Sequence, residues 1–302
     1  DVLLAQHNMD VAVPFVVSDK NYGLLWDNNA ISRFGDARPY AWLSRDLALR
    51  DDQGQAGALT ARYYVGGKLV LTRREKDIAY QYLKDVAENW PKEAGDPKAA
   101  DLKVVWEGTM ASPKAGVHKM QLYSSDYAKL SIDGKEIMDV WRQGWNPWYH
   151  NFEVKFESNK PVKLHLEWKP SGGMVAITHN DPLPQDERHS LTFSSEVAQG
   201  INYYVVSGEN IDDVIAGYRH LTGQAPMMPK WAYGFWQSRQ RYETQEQLLG
   251  VLREYRKQGW PVDNMVQDWF YWPQDGWGSH DFDKARFPDP KAMVEEVHKA
   301  NA

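Results

Sequence analysis

The stretch "VQDWFYWPQDGWGSHDFD", residues 266–283, holds four tryptophan or tyrosine rings and four aspartates in eighteen positions. Those residue types together suit a saccharide. The C–H faces of a pyranose stack on flat rings while its hydroxyls donate to carboxylates, and ligand pockets commonly combine an aromatic lining with a few placed polar groups. A packed loop corner would use the same residues, so the elements that carry the stretch must decide between the two.

From Met227 the texture is α/β. "WAYGFWQ" reads as a buried strand. "TQEQLLGVLREYRKQG" reads as a helix, with Thr244 and Gln247 as a capping box, Leu248, Leu252 and Tyr255 as an apolar stripe and Gly259 as the stop. "WPVDNMVQDW" is the next strand, and "DPKAMVEEVHKANA" opens a helix with Asp289 as cap and Pro290 in its first turn. Strand, helix, strand, helix with short links implies parallel strands in an open sheet or a (β/α)8 barrel, which usually takes roughly 250 residues. In either arrangement the aromatic stretch follows the C-terminal end of a strand, where such folds place functional groups.

The chain before it is mostly β. "DVAVPFVVSDKNYGLLWDN" clusters Val, Phe, Leu and Trp between turn residues. From about Ala58 to His179, short alternating runs such as "LTARYYVGGKLVLTRR", "LKVVWEGTMAS", "AKLSIDGKEIMDVW" and "NFEVKFESNKPVKLHLEW" are separated by Gly, Pro, Asn, Ser and Asp, as in a β-sandwich or barrel. One helix is expected within it at "REKDIAYQYLKDVAENW", where Ile78, Tyr82 and Val86 share a face. After "NDPLPQDERHS" come strands in "LTFSSEVAQGINYYVVSGEN" and a helix at "IDDVIAGYRHLTG", capped by Asn210 or Asp212, ended by Gly223, with Val214, Ile215 and Tyr218 facing inward. The segments flanking the middle module read as two halves of one β-domain that has received an insertion.

Bulk numbers bound the function. The 302 residues are enough for two domains, and 42% hydrophobic with 25% charged residues describes a globular protein. A formal charge of −6 gives no electrostatic case for nucleic acid. No run approaches a membrane span, no signal peptide opens the chain at Asp1, and the absence of cysteine removes disulfide and thiolate chemistry. Fourteen tryptophans favour a ring-stacking ligand. His280 and His298 each lack a second histidine at ligand spacing, so no metal is expected there.

The ordered set "YRHLTG", "WAYGFWQSR", "PVDNMVQDW" and "FPDP" resembles the entry into the catalytic barrel of glycoside hydrolase family 31, which holds retaining α-glucosidases and α-xylosidases. "AVPFVVSDKNYGLLWDN" and "GINYYVVSGENIDDVIAGYRHLTG" resemble the β-sandwich that precedes that barrel. The middle module resembles a PA14 β-barrel, with "LTARYYVGG" as its first strand and "QLYSSDYAKLSIDGKEIMDVW" as its central hairpin. The resemblance implies a multidomain chain: 1–56 as part of the N-terminal β-sandwich, 57–182 as the PA14 insert, 183–227 as the rest of the sandwich and a linker, and 228–302 as the first βα units of an incomplete (β/α)8 barrel.

It also implies roles. Retaining enzymes of this kind use two carboxyl groups about 5 Å apart, and the family's pattern places both beyond Ala302, so no catalytic residue is assigned here and the chain alone is expected to be inactive. Asp268 matches the aspartate that accepts hydrogen bonds from the non-reducing-end sugar. Trp269 would line the wall beside C5 and C6 of that sugar, and Gln240 falls at a subsite position after the first strand. Trp272 joins this substrate-binding set, while it, Tyr242 and Trp277 fit either as stackers or as core. Calcium-dependent PA14 domains use two adjacent aspartates; the matching position reads Asp126-Tyr127, so a calcium-borne site is not expected, nor is any cofactor. A PA14 insert in this place implies an α-xylosidase acting on xyloglucan oligosaccharides. The alternatives are an α-glucosidase of the same family and a non-catalytic carbohydrate-binding or structural PA14 module. A periplasmic, cell-surface or extracellular site of bacterial type follows from that substrate class.

Overall fold

A computed structural model describes residues 1–6, 11–80, 89–187 and 190–302. The chain divides into two compact units, one comprising 1–16 and 24–205, the other 17–23 and 206–302.

The first unit is built on antiparallel sheets. Its largest runs in the order Lys135–Arg142, Asp126–Ile132, Val162–Lys169, Leu102–Ala111, Leu59–Val65, Lys68–Glu75, with Ala48–Arg50 added beside Leu102–Ala111. A second sheet runs Trp148–Phe156, Gly116–Ser124, Val175–Asn180, Ala41–Trp42, with Ala79–Tyr80 also on Val175–Asn180. Turn chemistry sets the hairpins. Gly66 and Gly67 both have positive φ, 57° and 75°, and so do Asp133 and Gly134, 51° and 77°. Two-residue loops of that kind match the twist of the strands they join. Burial alternates strictly along Asp126–Ile132 and Val162–Lys169, because successive side chains point to opposite faces. The inward sets of both sheets form one core that includes Trp106, Trp168, Tyr63, Met120, Leu122, Phe156 and Ile177. Of the helix expected around Ile78, residues 81–88 lie outside the described residues, and Ala79–Tyr80 is a strand.

A smaller sheet in the same unit joins residues on either side of this sandwich. Ser32–Gly35 lies between Val2–Leu4 and Thr192–Ser195, antiparallel to both. Phe193 stacks on Trp26 with centroids 5.4 Å apart and contacts Phe34 at 4.6 Å. The indole N–H of Trp26 donates to Ser195 Oγ at 2.8 Å.

One carboxylate organises the aromatic centre of the sandwich. Glu75 is buried, and its Oε2 accepts from Trp106 Nε1 at 2.6 Å while its Oε1 accepts from Tyr80 Oη at 2.9 Å, from Arg73 Nε at 2.6 Å and from Tyr63 Oη. Burial first, then the facing carboxylate, pushes both tyrosine hydroxyls far up, so both remain donors. Trp90 sets its ring edge-on against Tyr63 and Tyr80, 5.4 Å from each.

In the second unit, helix Ile211–Thr222 starts at Asn210, whose side chain accepts from the N–H groups of Asp212 and Asp213, and stops at Gly223 with φ 89°. Of its expected inward face only Val214 is fully buried, and Ile215 is 42% exposed. Val206 sits against Gly217, where a Cβ would come within 2.3 Å of its Cγ1, so the helix buries the line through Val214 and Gly217 and turns Ile215 outward. Helix Gln245–Lys257 is capped by Thr244, Gln247 Oε1 reaches back to Glu243 N at 2.6 Å, and Leu248, Leu249 and Leu252 are buried. Helix Pro290–Lys299 is capped by Asp289. Strands Trp236–Gln237 and Asn264–Met265 pair in parallel. They are shorter than the runs expected from sequence, and Phe235 and Trp236 are nearly half exposed. Parallel strands are buried only between neighbours and under helices, and the described residues supply two of them.

Removing the Glu75 carboxylate leaves the Trp106 N–H without a partner and takes from Tyr63, Tyr80 and Arg73 the acceptor they share. Glu75→Ala is expected to lower unfolding free energy by about 3–5 kcal/mol, against ~1 kcal/mol for Tyr80→Phe, both read by urea denaturation. A Glu75→Ala loss no larger than that of Tyr80→Phe would show that the carboxylate does not organise the core.

Candidate functional site

Two loops follow the C-terminal ends of the parallel pair, one from Ser238 and one from Val266. Backbone bonds hold them side by side: Val266 N donates to Gln237 O at 2.9 Å and Trp269 N donates to Gln240 O at 3.1 Å. The base beneath is fixed by Asp263, whose Oδ2 accepts from Phe235 N at 2.9 Å. Gly234 permits that approach, since a Cβ there would lie 2.1 Å from the same oxygen.

The structure therefore brings Gln240, Asp268 and Trp269 together at one end of the parallel pair. Asp268 and Gln240 are exposed and Trp269 is half-buried. The Trp269 ring meets Trp277 at 5.4 Å and Trp272 at 6.5 Å, edge-on in both cases. Trp272 is 7% exposed and Trp277 74% exposed, so the first is a packed support and the second an open face. Tyr242 is fully buried, with its hydroxyl accepting from Gln237 Nε2 at 3.1 Å, and belongs to a core with Leu248, Leu249, Phe287 and Met293.

Two arginines absent from the sequence reading hold this ring cluster. Arg286 donates to the carbonyls of Phe270 at 2.7 Å and Trp272 at 2.6 Å, with its Cζ 4.9 Å above the Phe270 ring. Phe270 has φ 60°, a left-handed conformation that a bulky residue adopts at a cost in strain, and the guanidinium clamps the peptide on either side of Tyr271. Arg241 lies with Cζ 5.7 Å from both the Trp269 and Phe270 centroids. Cation–π contacts of this kind are worth about 0.5–1 kcal/mol at exposed sites. Arg286 follows the aromatic stretch closely in sequence, whereas Arg241 lies in the other loop, before helix Gln245–Lys257, and which ring each covers depends on the loop path.

In the sandwich, the Asp126-Tyr127 position is also defined. Asp126 has φ 60° and is buried, and its Oδ2 accepts from Ser171 N at 2.6 Å. Burial pushes its carboxyl up, with the Ser171 and Gly173 N–H groups opposing. Tyr127 lies under Lys169 Nζ, 4.8 Å from its ring centroid. A single carboxylate already taken up by backbone donors falls short of the six to eight oxygens calcium prefers.

Residues 225–302 match the glycosyl hydrolases family 31 TIM-barrel domain, and residues 57–167 match the PA14 domain. The chain is 50% identical over 115 residues to an alpha-xylosidase from Saccharolobus solfataricus, covering 38% of this chain and 16% of that protein. An alpha-glucosidase from the same organism is 33% identical over 101 residues, covering 33% of this chain and 14% of its own length. The crystal structure of a GH31 alpha-xylosidase from Xanthomonas citri aligns with TM-score 0.91 at 49% identity, over 100% of this chain and 33% of that one. This chain thus spans a third or less of each of these relatives.

Arg286→Ala is expected to release residues 270–272, at a cost of about 2–3 kcal/mol for two carbonyls that lose a charged donor, and to raise acrylamide quenching of tryptophan fluorescence. Unchanged quenching would show that the ring cluster stands without the clamp. Calcium at millimolar concentration, added to chain already stripped with chelator, is expected to leave the thermal midpoint unchanged, and a rise of several degrees that Asp126→Asn abolishes would establish a calcium site at Asp126.

Proposed function

Because residues 225–302 belong to the glycosyl hydrolase family 31 TIM-barrel domain and residues 57–167 to the PA14 domain, we propose that the chain is a segment of a retaining glycoside hydrolase that releases α-linked xylose from xyloglucan-type oligosaccharides. Its part in that enzyme is to hold the non-reducing-end sugar. The nucleophile and the acid would come from sequence beyond Ala302, and a periplasmic or cell-surface location would give access to such oligosaccharides.

The observation that carries this reading is the pairing of exposed Asp268 with the Trp269 indole, on loops locked together by the Trp269 N–H to Gln240 carbonyl bond. Asp268 would accept from sugar hydroxyls, Gln240 would offer an amide beside them, and Trp277 presents an open ring. Trp272 acts by bracing Trp269. The indole of Trp269 would occupy the space that a C6 hydroxymethyl group needs. Xylose lacks that group and loses nothing, whereas glucose must displace the ring or bind off-register, which is costly at a reacting centre. The alpha-xylosidase relatives at 50% and 49% identity support the same choice. The 33% identity to an alpha-glucosidase keeps that specificity as the second reading.

The test uses the full-length enzyme with matched aryl α-xyloside and α-glucoside. Asp268→Ala is expected to lower kcat/KM by about two to four powers of ten, from loss of two charge-assisted hydrogen bonds at roughly 1.5–3 kcal/mol each. Trp269→Ile is expected to narrow the xyloside preference mainly by improving glucoside turnover. A loss below threefold for Asp268→Ala would assign that residue to structure, and equal xyloside and glucoside rates before mutation would favour the α-glucosidase.

A further inference from the structure

Strands Gly116–Ser124 and Val175–Asn180 are antiparallel neighbours, with Lys119 opposite Asn180 and Met120 opposite His179. Continued by one residue, that register sets His118 opposite Asp181, and the period of two sets His179 on the same face as both. Directly opposed and diagonal side chains on one face lie within reach of each other. The ligating atoms of His118, His179 and Asp181 accordingly all fall within 4.8 Å of one another.

Their hydrogen bonding is incomplete in a particular way. Both histidines are fully buried. His118 Nε2 lies 2.9 Å from Lys114 O, an acceptor only, so Nε2 carries the proton. Nδ1 is then left with its lone pair, without a hydrogen-bond partner, 3.5 Å from Asp181 Oδ1. A lone pair facing a carboxylate is repulsive unless a cation lies between them or Nδ1 takes a second proton. His179 has no hydrogen-bond partner on either ring nitrogen. Most buried polar atoms in native folds are paired, yet His118 Nδ1 and both nitrogens of His179 are not, and one ligand atom from each ring lies within 4.8 Å of the Asp181 carboxylate.

We propose that His118, His179 and Asp181 form a binding site for a divalent transition metal of the zinc class. Two imidazole nitrogens and one carboxylate oxygen are a zinc-type donor set, with room for a fourth ligand such as water. The outer contacts are those such a site uses. The Lys114 carbonyl fixes the His118 tautomer and orients Nδ1 inward. Lys114 Nζ holds Asp181 Oδ2, leaving Oδ1 to the metal. Ligand atoms around tetrahedral zinc sit roughly 3.4 Å apart, given bonds of about 2.0–2.1 Å, so binding would draw the three groups together by about 1 Å. Asp46 adds a second carboxylate charge near His179, while Arg38 and Lys114 limit the net negative charge. The site lies within the sandwich, and its role is structural: it would staple the strand Gly116–Ser124 to the point where the chain leaves Val175–Asn180.

The test uses the full chain, stripped with chelator and titrated with Co2+, whose visible d–d absorption reports a tetrahedral N/O site. One equivalent of Co2+ is expected to give that band, Zn2+ to displace it, and Zn2+ to raise the thermal midpoint. His179→Gln and Asp181→Asn are each expected to weaken Co2+ binding at least tenfold. Asp181 lies at the edge of the site, so Asp181→Asn, checked for native circular dichroism, decides alone if His179→Gln fails to fold. Absence of the band, no metal retained after gel filtration, or a band that survives Asp181→Asn unchanged would each overturn the proposal.

Discussion

A carboxylate taken out of water must find donors or it prevents folding, and Glu75 meets that constraint at the centre of the sandwich. Its charge is met by Arg73 and its lone pairs by Tyr63, Tyr80 and Trp106. These four partners come from three strands, Leu59–Val65, Lys68–Glu75 and Leu102–Ala111, and from the short strand Ala79–Tyr80 of the other sheet. The network is satisfied only when both sheets are in register and face each other. A purely apolar core of equal volume could be as stable, but it would tolerate slippage that the carboxylate does not.

The second unit solves a different problem: how to present large rings without letting them collapse into the core. Tyr242, Phe287 and Met293 fill the space under helices Gln245–Lys257 and Pro290–Lys299. The rings at 269, 272 and 277 are then propped on one another edge-on, and Arg286 ties down the backbone that carries them. Arg286 also packs its guanidinium over Phe270, so one side chain pins both the path and a ring of the loop. Fixing rings before a ligand arrives removes part of the ordering cost of binding.

Much of this was legible in the chain. Gly66-Gly67 and Asp133-Gly134 announce hairpins because few other residues accept φ > 0 at consecutive positions. Asn210, Thr244 and Asp289 announce helix starts because their side chains satisfy otherwise orphaned N–H groups. What could not be read depends on partners distant in sequence. Glu75 reads as a charged residue ending a strand, and only the pairing of Leu59–Val65 with Leu102–Ala111 brings Trp106 to it. The outward turn of Ile215 depends on Val206 filling the place beside Gly217. For the loops after the parallel pair, sequence marked the positions of Gln240, Asp268 and Trp269, but the backbone bond from Trp269 N to Gln240 O is a property of that pair.

The two buried polar clusters of the sandwich bear on each other. Around Glu75 the fold supplies a donor for every demand, with contacts of 2.6 to 2.9 Å from Trp106, Arg73 and Tyr80. Across the neighbouring sheet the same fold leaves His118 Nδ1 and both nitrogens of His179 without partners. Ser124 Oγ and His150 Nε2 of the same sheet are also unpaired, but among the described residues it is at His118, His179 and Asp181 that ligand-type atoms lie within 4.8 Å of one another, and there the one paired histidine nitrogen, His118 Nε2, is taken by Lys114 O. Neutral His179 carries one N–H that it can donate within the cluster, but His118 Nδ1, the second His179 nitrogen and the Asp181 carboxylate offer more lone pairs than that single proton meets; a cation accepts the rest.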